Sequence, residues 1–296
     1  MRSNRRSICH FGMMVLITVL VTSFCAHAQT PSASPTPIAA ATPTLEHEFF
    51  KNLARDQKAI WTSPFHLDRS DAQWLAPLAV GTAALIATDR QTGDELAEST
   101  GQLKASRVIS YAGSDYGVGA IAAGFYFLGR AKHNDRARET GILGAEALID
   151  SAIVVTALKE ITQRRRPTAA SGRSDFFDGG SSFPSGHSIE AWSLATVIAN
   201  EYHGRRGVQI AAYGIASAVS ISRFTGEKHY LSDILVGSAL GYGIGRYVYR
   251  AHHRAGAGGS GGEEDVSFER NRHWPAITPL YNRRSRDYGV ALAWSF

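Results

Sequence analysis

Cysteine is nearly absent: the only two in 296 residues are Cys9 and Cys25. Both fall in the first 28 positions, so the rest of the chain can build neither a disulfide framework nor a thiolate metal site. A strong excess of either charge is also missing. The formal net charge is +5, which points to no nucleic-acid partner. No apolar stretch reaches the 18 to 20 residues of a comfortable membrane span. Beyond residue 45 the longest charge-free runs are the 17 residues 72–88 and the 16 residues 207–222. Mean hydropathy of −0.14 rules out a chain mostly embedded in lipid, although it leaves room for a few membrane segments. No internal repeat is visible, and no His/Cys/Asp cluster has metal-ligand spacing.

What is present begins with a secretory signal. Arg2, Arg5 and Arg6 precede an apolar run from Phe11 to Phe24, and Ala26-His27-Ala28 forms a small-x-small cleavage site. Loss of residues 1–28 would remove three arginines and no acid, leaving about +2, and would remove both cysteines. The expectation is an exported protein, periplasmic or envelope-associated. Residues 29–44 are rich in Pro, Ala, Ser and Thr and read as a disordered tether.

Helical periodicity dominates residues 45–250. Helices are expected at 45–61, within 71–89, and at 116–129, 137–162, 187–202, 208–222 and 229–249. The fold class is therefore all-α, a bundle of six or seven helices. The short apolar runs favour a soluble or peripherally attached bundle, with membrane association kept open. A Gly-rich linker covers 251–265. In the tail, 266–296, Tyr288, Val290, Leu292, Trp294 and Phe296 alternate with small residues. That pattern predicts a strand, paired with 273–281 as a β-hairpin through a polar turn at 282–287.

Three polar clusters interrupt the apolar helices: Lys159 with Arg166-Pro167; Pro184-Ser185-Gly186-His187; and Ser222-Arg223 with His229 and Asp233. His229 and Asp233 are four apart at an expected helix start, so they share a face. A carboxylate on one imidazole nitrogen leaves the other nucleophilic. Pro-Ser-Gly-His reads as a loop opening a helix, where Ser185 can cap and Gly186 lets backbone N–H groups approach an anion. Lys159, Arg166 and Arg223 add three cations, the number a phosphoryl group with three equatorial oxygens calls for.

These blocks, with their internal spacings, resemble the signature of the type 2 phosphatidic acid phosphatase superfamily. That superfamily also contains class A acid phosphatases and vanadium haloperoxidases. The resemblance implies a catalytic set of His229 as nucleophile forming a phosphohistidine, Asp233 orienting it, and His187 protonating the leaving alcohol and then activating water. It implies phosphate binding by Lys159, Arg166, Ser185, Gly186 and Arg223. It implies no cofactor, and a phosphorylated small molecule or phospholipid as substrate. Two alternatives stand beside this phosphatase reading: a haloperoxidase holding vanadate on the same residues, and a non-catalytic envelope protein whose β tail is the working part.

One departure from the family pattern concerns a glycine often found two residues before the nucleophilic histidine. Here Gly226 is three before it, and Glu227 and Lys228 intervene. Lys228 is expected to face solvent rather than substrate. Arg164, Arg165 and Arg173 read either as an attraction for anionic head groups or as solvated loop charge. Glu146 and Asp150, one turn apart, are expected to pair with nearby arginines rather than to form an acid/base or metal site. Glu190 either faces the site or caps its helix.

Overall fold

The computed structural model describes residues 45–67, 69–94, 99–169, 175–256, 276–282 and 287–293. The expected signal peptide at 1–28, the expected tether at 29–44 and most of the expected Gly-rich linker lie outside them. The chain divides into two compact units, 1–258 and 259–296.

The described part of the first unit is all-α. Its helices are α1 Leu45–Thr62, α2 Arg69–Asp94, α3 Thr100–Ala112, α4 Asp115–Ala131, α5 Asp135–Thr162, α6 Gly186–Glu201, α7 Arg206–Thr225 and α8 Leu231–Gly256. Local chemistry sets their ends. Ser99, Ser114 and Asn134 each accept a hydrogen bond from a backbone N–H three residues on, capping α3, α4 and α5. Gln163 ends α5 in the left-handed region at φ 43°, just before Arg166-Pro167.

α3 is the one helix the sequence does not announce. It is short and carries Lys104, Arg107 and three serines or threonines, so no apolar run marks it. α8 begins at Leu231, not at His229, and runs to Gly256, past the expected boundary at 250. The reason for the late start is a capping box: the Asp233 carboxylate accepts the Tyr230 backbone N–H at 3.0 Å. That contact closes the first turn behind His229 and leaves the histidine in the preceding loop.

α6 is the axis of the bundle. Most of its residues are buried, and it packs against α4, α5, α7 and α8. One apolar cluster on α4, α6 and α7 includes Val118, Phe125, Leu194 and Val219. A second on α1, α5, α6 and α8 includes Leu143, Val154, Ile189 and Val248. The α6–α8 contact is backbone on backbone. Side chains at Gly241 or Gly245 would collide with the Ile189 and Ser193 carbonyl oxygens. This closeness holds the N-terminus of α6, with its Ser-Gly-His, against the loop leading into α8.

α2 contrasts with the core. Trp74 and Val80 are 81% and 70% exposed. Among the described residues only α5 is long and apolar enough to cross a membrane, and over half of its apolar window is buried inside the bundle.

In the second unit, β1 Ala276–Asn282 pairs antiparallel with β2 Asp287–Ala293, in register from Ala276↔Ala293 to Asn282↔Asp287. This is the expected hairpin. Its turn and Trp294–Phe296 lie outside the described residues.

Candidate active site

The three sequence clusters meet at one end of the bundle. Lys159 comes from the last turn of α5, His187 from the first turn of α6, and Arg223 from the last turn of α7. After α7 the chain folds back, and the N–H groups of Lys228 and His229 both donate to the Arg223 carbonyl, at 3.0 and 3.2 Å. That turn brings the histidine to the arginine. Glu227 makes it possible by adopting φ 56°. It stands two residues before His229, where the family pattern often has glycine, and it takes the backbone conformation that favours glycine.

His229 is almost fully buried. Its Nδ1 lies 2.7 Å from the Ser182 carbonyl oxygen and 3.5 Å from Asp233 Oδ2. A carbonyl only accepts, so Nδ1 carries the hydrogen and Nε2 keeps its lone pair. The direct partner that fixes the ring is therefore the Ser182 backbone, and Asp233 acts one step behind. Its Oδ2 accepts from the Ser182 hydroxyl at 2.5 Å, and its Oδ1 accepts from Arg164 Nη1 at 2.6 Å. Burial pushes the Asp233 carboxyl up, but its bonds to His229, Arg164 and Ser182 outweigh this and hold it below the usual carboxylate range. Burial pushes His229 down and so favours the neutral ring, against the opposing pull of Asp233, which favours the charged one.

Arg164 is not the solvated or head-group charge the sequence suggested. It is fully buried, it joins Asp233 to Asp89 of α2 through Nη2 at 2.8 Å, and it also donates to the Ser232 hydroxyl at 2.6 Å. Phe176 and Tyr230 cover its guanidinium at 4.7 and 4.3 Å. Its own carbonyl accepts the Ser182 N–H at 2.8 Å, so Arg164 positions the residue that positions His229. Arg165 pairs with Asp178 at 2.7 Å on the surface, and Arg173 lies outside the described residues.

The three cations of the motifs behave differently. Among the described residues, no carboxylate comes within 4.0 Å of Lys159, Arg166 or Arg223. The buried Nε of Arg223 has no partner. Burial and the neighbouring Arg166 lower Lys159, and the same two causes lower Arg223 to about 10. Burial, Arg223 and His229 lower His187 to about 4. Like charges are thus held together with, among the described residues, no carboxylate in direct contact. Gly186 sits against this group: a Cβ there would lie 3.3 Å from Lys159 Nζ. Ser185 is the N-cap residue but makes no side-chain cap bond. Its hydroxyl instead accepts from Ser188 at 3.1 Å.

A cavity of about 320 Å³ opens over His187 and Arg223. Its far wall is α3, which supplies Arg107, Ser110 and Tyr111, and Lys228 stands exposed at its rim. Hydroxyl pairs fasten α3 to α7: Ser110 with Ser222 at 2.9 Å and Ser106 with Thr225 at 2.7 Å. Glu190 does not cap its helix. It is buried beside Asp115 and near Lys159, and burial followed by Asp115 raises it to about 8.

Glu146 and Asp150 find no arginine. Asn52 donates to Glu146 at 3.4 Å and Gln57 to Asp150 at 2.7 Å. Sequence reasoning missed Asp89, Arg164, Ser182 and the α3 wall. Only the run Arg164-Arg165-Arg166 carried a trace of any of them.

Fold and site together define a helical bundle with a cavity over His187 and Arg223, and with Lys159, Arg166 and the buried His229 close enough to act on them electrostatically. Residues 141–257 match the model of the PAP2 superfamily. A lipid A 1-phosphatase of Porphyromonas gingivalis is 33% identical over 127 residues, covering 43% of this chain and 26% of the relative. The chain thus spans about a quarter of that relative's length. The crystal structure of a transmembrane PAP2 type phosphatidylglycerolphosphate phosphatase from Bacillus subtilis aligns with a TM-score of 0.46 and 24% identity, covering 60% of this chain and 96% of that one. Aquifex aeolicus LpxE aligns at 0.43 and 20%, covering 55% and 93%.

Proposed function

We propose that the protein is a phosphatase that removes phosphate from a lipid-borne phosphomonoester or pyrophosphate through a phosphohistidine. The observation that carries this reading is the state of His229. Its Nδ1 hydrogen is engaged by a carbonyl, and its Nε2 keeps a lone pair in a site whose cations Lys159, Arg166 and Arg223 have, among the described residues, no carboxylate within 4.0 Å.

Nε2 attacks phosphorus while Lys159, Arg166 and Arg223 take up charge on the equatorial oxygens. The ester P–O bond breaks, and the leaving oxygen takes a proton from His187. Water then attacks the phosphohistidine, His187 accepts its proton, and phosphate leaves with Nε2 restored. Asp233, 3.5 Å from Nδ1, balances the positive ring of the intermediate. The anionic substrate raises the affinity of His187 for a proton by offsetting the cations that depress it. These side chains supply the positive charge the chemistry needs, so no metal takes part in it.

A lipid substrate and membrane association are supported by the exposed apolar side chains Trp74, Val80, Tyr116, Phe127, Ile210 and Ile221. They are also supported by a groove of about 630 Å³ with walls of Val118, Ala122, Ile142 and Ile149, ending at Asp115 and Glu190 near Lys159. Export to the periplasm or envelope follows from the N-terminal signal.

The test is phosphate release from phosphatidate in detergent, with a soluble aryl phosphate alongside. His229→Ala is expected to lose about 10⁴-fold or more in turnover. Wild type quenched on labelled substrate yields an acid-labile protein-bound phosphoryl group. Retained turnover in the variant overturns the mechanism. So does loss of turnover on addition of EDTA to a wild-type protein that remains folded.

A further inference from the structure

At the opposite end of α5 and α8 lies a second polar cluster, unrelated to the phosphate chemistry. Asp56 and Asn52 of α1, Glu146 of α5 and His252 of α8 are all buried, at 0%, 1%, 0% and 2% exposure. One ligand atom from each of Asp56, Glu146 and His252 lies within 4.8 Å of the others. His252 Nε2 sits 2.9 and 2.8 Å from the two carboxylate oxygens of Asp56. Asn52 Nδ2 donates to Glu146 Oε1 at 3.4 Å, which brings its amide head into the group.

Two independent features point to a missing partner. Asn52 Oδ1 and Glu146 Oε2 are buried acceptors with no hydrogen bond, and so is Asp150 Oδ2 one turn along. Every unsatisfied atom here is an oxygen, so the group wants positive charge or donors. Among the described residues no lysine or arginine lies within 4.0 Å of these acids. Three carboxylates therefore share one imidazole in the interior of the bundle.

We propose that Asp56, Glu146 and His252, with Asn52 Oδ1 as a fourth ligand, form a structural site for a divalent cation of the Zn²⁺ or Mn²⁺ kind. One imidazole nitrogen with carboxylate and amide oxygens is a donor set these ions accept, and two carboxylates match a charge of +2. The cation replaces the hydrogen that Nε2 shares with Asp56, and that proton leaves to solvent. His252 stands nineteen residues after Asp233, roughly 28 Å along α8 at 1.5 Å per residue, so the ion takes no part in phosphate chemistry. Its work is to pin α1, whose main neighbours are α5 and α8, to both helices at once. The site is independent of the phosphatase reading, and either stands if the other fails.

The test uses the full chain in detergent, stripped with EDTA and dialysed. Zn²⁺ or Mn²⁺ alone is titrated, with metal content by mass spectrometry and thermal unfolding as readouts. One tightly held ion per chain and a Tm rise of about 5 °C or more at a hundredfold excess over Kd are expected. Glu146→Gln keeps the side-chain shape and loses both effects. His253→Gln, in the neighbouring half-exposed group with Glu139 and Glu201, keeps both. Phosphate release at a temperature below unfolding serves as a check that each variant is folded. No bound ion in the wild type overturns the proposal, and so does an ion retained in a folded Glu146→Gln variant.

Discussion

Arg164 and Arg166 stand two residues apart in one loop, yet the fold gives them opposite electrostatic surroundings. Arg164 is sealed from solvent, bonded to Asp89, Asp233 and Ser232 and covered by two aromatic rings. Arg166, with Lys159 and Arg223, has neighbouring cations and, among the described residues, no carboxylate within 4.0 Å. The first is a buried pair whose parts fit one another. The second is a set of like charges that fits only when an anion arrives. Satisfaction of charge separates the architecture of the site from its chemistry, and residue type does not.

That contrast breaks most sharply by substitution. Arg223→Gln removes one of the proposed phosphate ligands from the unsatisfied set. Turnover should fall by about 10² to 10³, while unfolding shifts by no more than about 0.5 kcal/mol. Arg164→Gln leaves two carboxylates buried without their cation and should cost about 3 to 5 kcal/mol of stability, read in denaturant unfolding. A result in which both variants lose the same quantity would erase the distinction.

A smaller effect sharpens it through pH. Burial, Arg223 and His229 hold His187 at about 4, against 6.5 in the unfolded chain. The unfolded state therefore binds more protons between about pH 6.5 and 4, and native stability falls as pH is lowered through that window. His187→Gln should flatten the slope, as followed by thermal unfolding across the range. An unchanged slope would mean that the cations do not act on the imidazole.

The smallest effect is at Glu227, whose φ of 56° costs a non-glycine residue on the order of 1 kcal/mol. Glu227→Gly should leave turnover intact and raise stability by up to about 1 kcal/mol in chemical unfolding. A loss of turnover would show that the Glu227 side chain, and not only its backbone shape, serves the site.

Much of this was legible in advance. The helical class, the hairpin and the meeting of Lys159, His187, Arg223 and His229 follow from periodicity and from three short motifs. What stayed hidden depends on long-range placement. Asp89 is 75 residues from Arg164, so nothing local marks it as a partner. The run Arg164-Arg165-Arg166 offers three equal charges, and only the fold decides that the first turns inward, the second meets Asp178 and the third joins Lys159 and Arg223. α3 escaped because its sequence is polar, although it walls the cavity. The Asp56–Glu146–His252 group escaped because its members come from three helices and share no spacing. The start of α8 was misjudged because Asp233 was read as a partner of His229 and not also as the cap of its own helix.

The Ser182 carbonyl that receives His229 Nδ1 has a further consequence. Because the acceptor belongs to the main chain, no single substitution at position 182 deletes it. Which nitrogen of His229 keeps its lone pair is thereby insulated from point mutation of the acceptor. It is lost only by distorting the loop, which is tied to Arg164 through the Ser182 N–H. The part of the site that dictates reactivity is also the part a codon change reaches least directly.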